Sequence, residues 1–196
     1  MKRLLGIGLI VFSFFFIRAQ EPLRDGDIIF IVNPAGQGKA IQLATGSDFT
    51  HVGIVFIENG KPYVYHAVEP VSKNTLKEFA AMSADGSFKI KRLKNQELLT
   101  REKIDLMRAE AIKLLGKHYD YVFSWKDDEW YCSEFVWKIY DRQLGLHLGE
   151  PKAMKEYNLS DPKVRRTIEQ RYGKEIPLEE KMISPGDIYK SEPLNK

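Results

Sequence analysis

The chain has little cysteine: one residue, Cys132, in 196. An internal disulfide is therefore excluded, and apolar packing must hold the fold together. Repeats and low-complexity tracts are absent. A long membrane-spanning run is absent too. The longest apolar stretch, Leu4 to Ile17, falls short of the ~20 residues that cross a bilayer. Lys2 and Arg3 precede it and Ala19 follows it, the pattern of a secretory signal peptide with cleavage after Ala19. Residues 1–19 are thus expected to be removed on export to the periplasm or the medium. Residues 20–196 then remain as one domain with no stable membrane span. No cysteine borders the cut, which excludes lipid attachment there. An excess of basic charge is also missing. Removing Lys2, Arg3 and Arg18 from the 30 basic residues balances them against the 27 acidic ones. The formal charge of +3 therefore belongs to the leader, and nucleic acid is excluded as a partner.

What is present is an ordinary globular composition, 43% hydrophobic and 29% charged, with core enough for a compact domain. Asp27–Val32, Phe49–Ile57, Lys61–Val68 and Phe88–Leu93 have the alternation of strands. Lys39–Thr45 suits a short helix. Thr100 can cap a helix whose stripe is Ile104, Met107, Ala111, Leu114 and Leu115, stopped by Gly116. A second helix is expected over Ser133–Leu144, with Phe135, Val136, Ile139 and Tyr140 inward and Gly145 as its stop. A third is expected from Asp161-Pro162 to Arg171. Ser184-Pro185-Gly186-Asp187 is read as a turn into a last strand at Ile188-Tyr189. The fold class is α+β, an antiparallel sheet packed with helices.

Asn59-Gly60 between apolar runs is a strong hairpin signal, because both central residues of a type I′ turn need positive φ. A two-residue turn sets Glu58 opposite Lys61, Gly53 opposite His66 and His51 opposite Val68. Facing and alternate residues share a face. His51 and His66 are then diagonal neighbours about 7–8 Å apart at the backbone, with Gly53 leaving room between them. Such a pair can be satisfied core residues, metal ligands, or a base and its orienter. A third and fourth metal ligand at recognisable spacing are missing.

Cys132 lies in Trp130-Tyr131-Cys132-Ser133-Glu134, where the second helix begins. A helix start offers free N–H groups and partial positive charge, which favour a thiolate and can receive an oxyanion. A buried, inert thiol is the bland alternative.

Asp25-Gly26-Asp27-Ile28-Ile29-Phe30, His51-Val52-Gly53-Ile54-Val55 and Tyr65-His66-Ala67 resemble consecutive blocks of the NlpC-type superfamily of papain-like hydrolases. Gly116-Lys117-His118-Tyr119 and Tyr131-Cys132-Ser133-Glu134 resemble its tyrosine and nucleophile blocks. The histidine blocks precede the cysteine block, the order of the circularly permuted YiiX/YaeF-like branch. Lys39–Thr45, Lys61-Pro62-Tyr63-Val64, Ser124-Trp125, Arg171-Tyr172-Gly173-Lys174 and Ile176–Glu180 are similar to that branch as well. The resemblance implies a permuted papain-like fold and a cysteine hydrolase, an amidase or peptidase working through an acyl-enzyme. It implies Cys132 as nucleophile, His51 as base, His66 as the third triad member and Tyr119 near the oxyanion. His66 departs from the Glu that YiiX-like proteins tend to carry. No cofactor or metal is called for.

Peptide or amide substrates, including cell-wall peptides, suit an exported enzyme of this kind. Lipid-acyl substrates are the alternative, favoured by any large apolar groove beside Cys132. A binding protein with a degenerate site is the third reading. Gln42 could line the cleft or merely cover a helix. His118 and His147 are expected at the surface, Asp127-Asp128-Glu129 in a solvated loop, and Trp125, Trp130 and Trp137 in the core.

Overall fold

A computed structural model describes residues 21–195; residues 1–19, the expected signal peptide, lie outside them. Asn59 and Gly60 both adopt left-handed backbone, φ 50° and 74°, as a type I′ turn requires. They lock β2 (His51–Glu58) against β3 (Lys61–His66), with Glu58 opposite Lys61 and Ile54 opposite Tyr65. This hairpin is the middle of a five-stranded sheet in the order β4-β3-β2-β1-β5. β1 is Ile28–Ile31, β4 is Ser72–Thr75 and β5 is Lys89–Lys91. Every pairing in it is antiparallel.

Period-two alternation gives the sheet two apolar faces. Ile28, Phe30, Val52, Ile54, Phe56 and Tyr65 enter the larger core. Ile29, Ile31, Val55 and Val64 form a smaller one with Phe79, which is carried by α2 (Leu76–Ala80). The larger face is covered by α4 (Cys132–Leu144), buried at every position from Cys132 to Tyr140. Phe135, Val136, Ile139 and Tyr140 are all fully buried, each contributing about 1.5–3 kcal/mol for an aliphatic or Phe-sized side chain. α3 (Arg101–Leu114) packs beside α4 through Met107, Ala111 and Leu114. Thr100 caps α3 by accepting from the Lys103 N–H, and Gly145 ends α4 at φ 64°. Arg92 grips buried Asp27 with two nitrogens, at 2.6 and 2.7 Å, joining the start of β1 to the segment after β5.

Helix α1 (Gly38–Thr45) packs on α5 (Pro162–Tyr172), and the strands of a short ribbon, β6 (Lys152–Ala153) with β7 (Lys181–Met182), flank α5 in sequence. The expected last strand is a helix, α6 (Pro185–Tyr189). Ser184 accepts from the Asp187 N–H while the Asp187 carboxylate accepts from the Ser184 N–H. That reciprocal capping box, with proline in the first helical turn, makes the turn residues a helix start. β4 and α2 have no counterpart in the sequence reading. The architecture is α+β as expected.

Candidate active site

The hairpin delivers its histidines as the register requires. A Cβ on Gly53 would lie 2.7 Å from Val64 Cγ1, 2.9 Å from the Tyr65 carbonyl and 3.1 Å from His66 Cβ. Only glycine allows β3 this close. His51 Nε2 then meets His66 Nδ1 at 2.7 Å, and both rings pack against Phe79.

One residue beyond them fixes the protons. His66 Nε2 lies 2.7 Å from Asn74 Oδ1, and the Glu78 carboxylate lies near the same amide. An amide oxygen only accepts, and a nearby carboxylate favours the amide nitrogen on its own side, so Asn74 presents Oδ1 to His66. His66 therefore carries its proton on Nε2 and accepts at Nδ1. His51 must donate from Nε2, which leaves Nδ1 as its free lone pair. Burial first, and then the neighbouring His66, which opposes a second charge, hold His51 well below the usual histidine range. Burial lowers His66 to about 4, against the Asn74 hydrogen bond. Both rings are neutral near pH 7.

The helix α4 begins at Cys132 itself, with extended Tyr131 as its cap. The thiol sits against the N–H of Val52, the residue after His51, and against Ser133 and the Tyr119 hydroxyl. The sulfur thus lies against the backbone of the residue that follows His51, where β2 starts. The expected depression of the thiol does not prevail. These hydrogen bonds pull it down, but burial pushes it up to about 11, and Cys132 is only 3% exposed.

Tyr119 reaches the sulfur from the strand-like segment before α4, where it bridges to Trp130. Its N–H is held by Glu69 Oε2 at 2.8 Å. Burial, then the neighbouring Cys132, raises its hydroxyl well above the usual range, so it stays protonated. Gln37 donates to the Tyr119 oxygen at 3.0 Å, and Arg171 donates to the Gln37 carbonyl.

Asn74, Glu78, Gln37 and Arg171 are absent from the sequence-derived site. Thr75-x-x-Glu78 is a capping-box signature that could have revealed α2, but nothing local marks Gln37. Gln42 does not reach the site and binds the Asp48 carbonyl instead. His118 is exposed and pairs with Glu69 at 2.9 Å, and His147 lies by Asp141. Asp127 is tied to Lys138 and Arg142, a structural role. Trp130 and Trp137 are buried.

An apolar cavity of about 100 Å³ opens beside Cys132 and Tyr119, lined by Ala40, Ile41, Met154, Tyr157 and Ile168 among others. A larger space of about 460 Å³ flanks His51 and shares Gln37, Tyr119 and Arg171 as walls.

Residues 22–196 match the family described as permuted papain-like amidase enzyme, YaeF/YiiX, C92. The uncharacterized protein YiiX of Escherichia coli (strain K12) is 44% identical over 166 residues, spanning 85% of this chain and 81% of that protein. The crystal structure of metalloprotein yiiX from Escherichia coli O157:H7, DUF1105, superimposes with a TM-score of 0.84 at 43% identity. It covers 88% of this chain and 94% of that one.

Proposed function

Because the chain belongs to the permuted papain-like amidase family, YaeF/YiiX, C92, we propose that it is a cysteine amidase or peptidase, with Cys132 as nucleophile and His51 as base. The observation carrying this reading is the hydrogen-bond line from His51 Nε2 through His66 to Asn74, which leaves the His51 Nδ1 lone pair free on the residue next to the Val52 N–H that touches the thiol. The pair rests neutral. His51 Nδ1 takes the thiol proton as sulfur attacks the carbonyl carbon, and the Cys132 N–H and Tyr119 hydroxyl receive the oxyanion. His51 then passes the proton to the leaving nitrogen, the C–N bond breaks and a thioester remains. Water, activated by His51, releases the acid and restores the thiol. Near neutral pH, His66 orients His51 by accepting its Nε2 proton.

The signal-peptide pattern of residues 1–19 supports export, and with it cell-wall peptides as the substrate class. The apolar cavity beside Cys132 supports a second reading, an acyl-ester or N-acyl substrate whose aliphatic group fills it. The relative described as a metalloprotein raises a metal as a further element. The residues here do not fit one. His51 and His66 turn their facing nitrogens on each other, and no group of three or more His, Cys, Asp or Glu suited to a metal occurs among the described residues. No step is routed through a metal.

Stopped-flow hydrolysis of p-nitrophenyl butyrate, with mass mapping of the trapped acyl group, tests the reading. A burst of nitrophenol with the acyl group on Cys132, lost in Cys132→Ala, is the expected result. Absence of acylation at Cys132, with this ester and with peptide p-nitroanilides, would overturn it. A rate rising with acyl length would favour the second reading over the peptide one.

A further inference from the structure

We infer that Gln37 and Arg171 are positioning residues that fix the Tyr119 hydroxyl as a donor toward Cys132 and the oxyanion formed on its substrate. This deepens the hydrolase reading and rests on it. An arginine has only donors, so the Arg171 hydrogen bond obliges Gln37 to present its carbonyl to Arg171 and its nitrogen to Tyr119. The Tyr119 oxygen accepts from Gln37, and its own proton is left to point at the sulfur it contacts. Every donor in the line Arg171, Gln37, Tyr119 points the same way. The line begins at a cation and ends where negative charge develops.

Local structure shows that neither side chain is simply serving its helix. Gln37 stands at the N-cap of α1 yet makes no side-chain capping bond, in a position where Ser, Thr, Asp or Asn is preferred. Its backbone is held firmly. Thr50, next to His51, bonds both the N–H and the carbonyl of Asn33. The Asn33 side chain accepts from the Ala35 N–H. A Cβ on Gly38 would lie 2.0 Å from the Asn33 carbonyl, so the loop closes tightly just after Gln37. Arg171, in the last turn of α5, would favour the helix dipole from any outward rotamer. Its guanidinium instead turns inward over the Phe123 ring, 4.8 Å from the centroid, and walls both the Cys132 cavity and the His51 cavity. Of the acids near it, Asp120 contributes charge, while its carboxylate accepts from the Val122 and Ser124 N–H groups.

Gln37→Glu separates this role from a structural one. A carboxylate keeps, and strengthens, the bond to Arg171, but can only accept from Tyr119, so the hydroxyl must turn away from the sulfur. The melting temperature should hold. The burst rate on p-nitrophenyl butyrate should fall on the order of 10²-fold, the loss typical of one oxyanion donor, and iodoacetamide should alkylate Cys132 several-fold more slowly. Both effects should vanish in a Tyr119→Phe background, because the change acts through that hydroxyl. Arg171→Met should give a smaller loss, also absent in Tyr119→Phe, and serves in the same cycle if Gln37→Glu does not fold. Equal losses with and without the Tyr119 hydroxyl, or an unchanged Gln37→Glu burst while Tyr119→Phe falls, would overturn the inference. If the wild type shows no acylation, the hydrolase reading fails by itself. Alkylation rates then still decide the orientation of Tyr119, and no difference between wild type and Gln37→Glu refutes it.

Discussion

The two sides of Cys132 are built alike and charged oppositely. Behind His51 and His66 lies the amide of Asn74, with the carboxylate of Glu78 near it. Behind Tyr119 lies the amide of Gln37, locked by the guanidinium of Arg171. A primary amide can face either way, and the charged group at the far end decides which. On one side the line ends in a lone pair that takes a proton, and on the other in a hydroxyl that gives one. The sides differ in depth. Glu78 is exposed and Arg171 half-buried, so solvent screens the first charge and the second less. The carboxylate orients its amide at short range. The guanidinium orients and also acts through its field.

The comparison can be broken or sharpened in a graded way. His51→Ala removes the end of the base side and should lower the acylation rate on the order of 10³-fold, measured by the nitrophenol burst, while leaving the Tyr119 side in place. Acid should damage the base side before the other. His66 takes a proton near pH 6.5 when unfolded but only near 4 when folded. Between those values the unfolded chain binds more protons, so stability is full above pH 6.5 and falls as the pH drops toward 4. The loss from His66 approaches about 3 kcal/mol, with His51 adding in the same direction. Urea melts across this range should show the slope, and a flat profile would contradict the buried neutral pair. Gly53→Ala pushes a methyl group into Val64 and the Tyr65 carbonyl. It should cost about 1–3 kcal/mol in the same melts and spread the histidines. Glu78→Gln frees the Asn74 amide to flip, since the glutamine side chain can both donate and accept. A loss of about three- to tenfold in burst rate is expected, smaller than that of Gln37→Glu because the outer carboxylate is screened.

Half of this arrangement is legible in the sequence. Asn59-Gly60 and a period of two fix the hairpin register, and with it the meeting of His51 and His66 over Gly53. The stops at Gly145 and the stripe of Phe135, Val136 and Ile139 place Cys132 at a helix start. Edge strand β4, Ser-Lys-Asn-Thr, is polar with alternating exposure. Without apolar alternation it gives no strand signal, and Asn74 goes unseen with it. Gln37 and Arg171 are 134 residues apart and meet only because α1 packs on α5, a tertiary event with no local trace. The thiol expectation failed for a related reason. A helix start is visible in a sequence, but the burial that outweighs it is not.

That burial also governs how the protein ages. Oxidants and electrophiles attack the thiolate, and exposure sets their access. With its proton kept to about pH 11 and 3% of its surface open, Cys132 rests in a form that peroxide meets slowly. Described residues hold no second cysteine with which it could close a disulfide. On the proposed mechanism, reactivity appears when His51 lifts the proton in the attack itself, and the sulfur survives intact between turnovers.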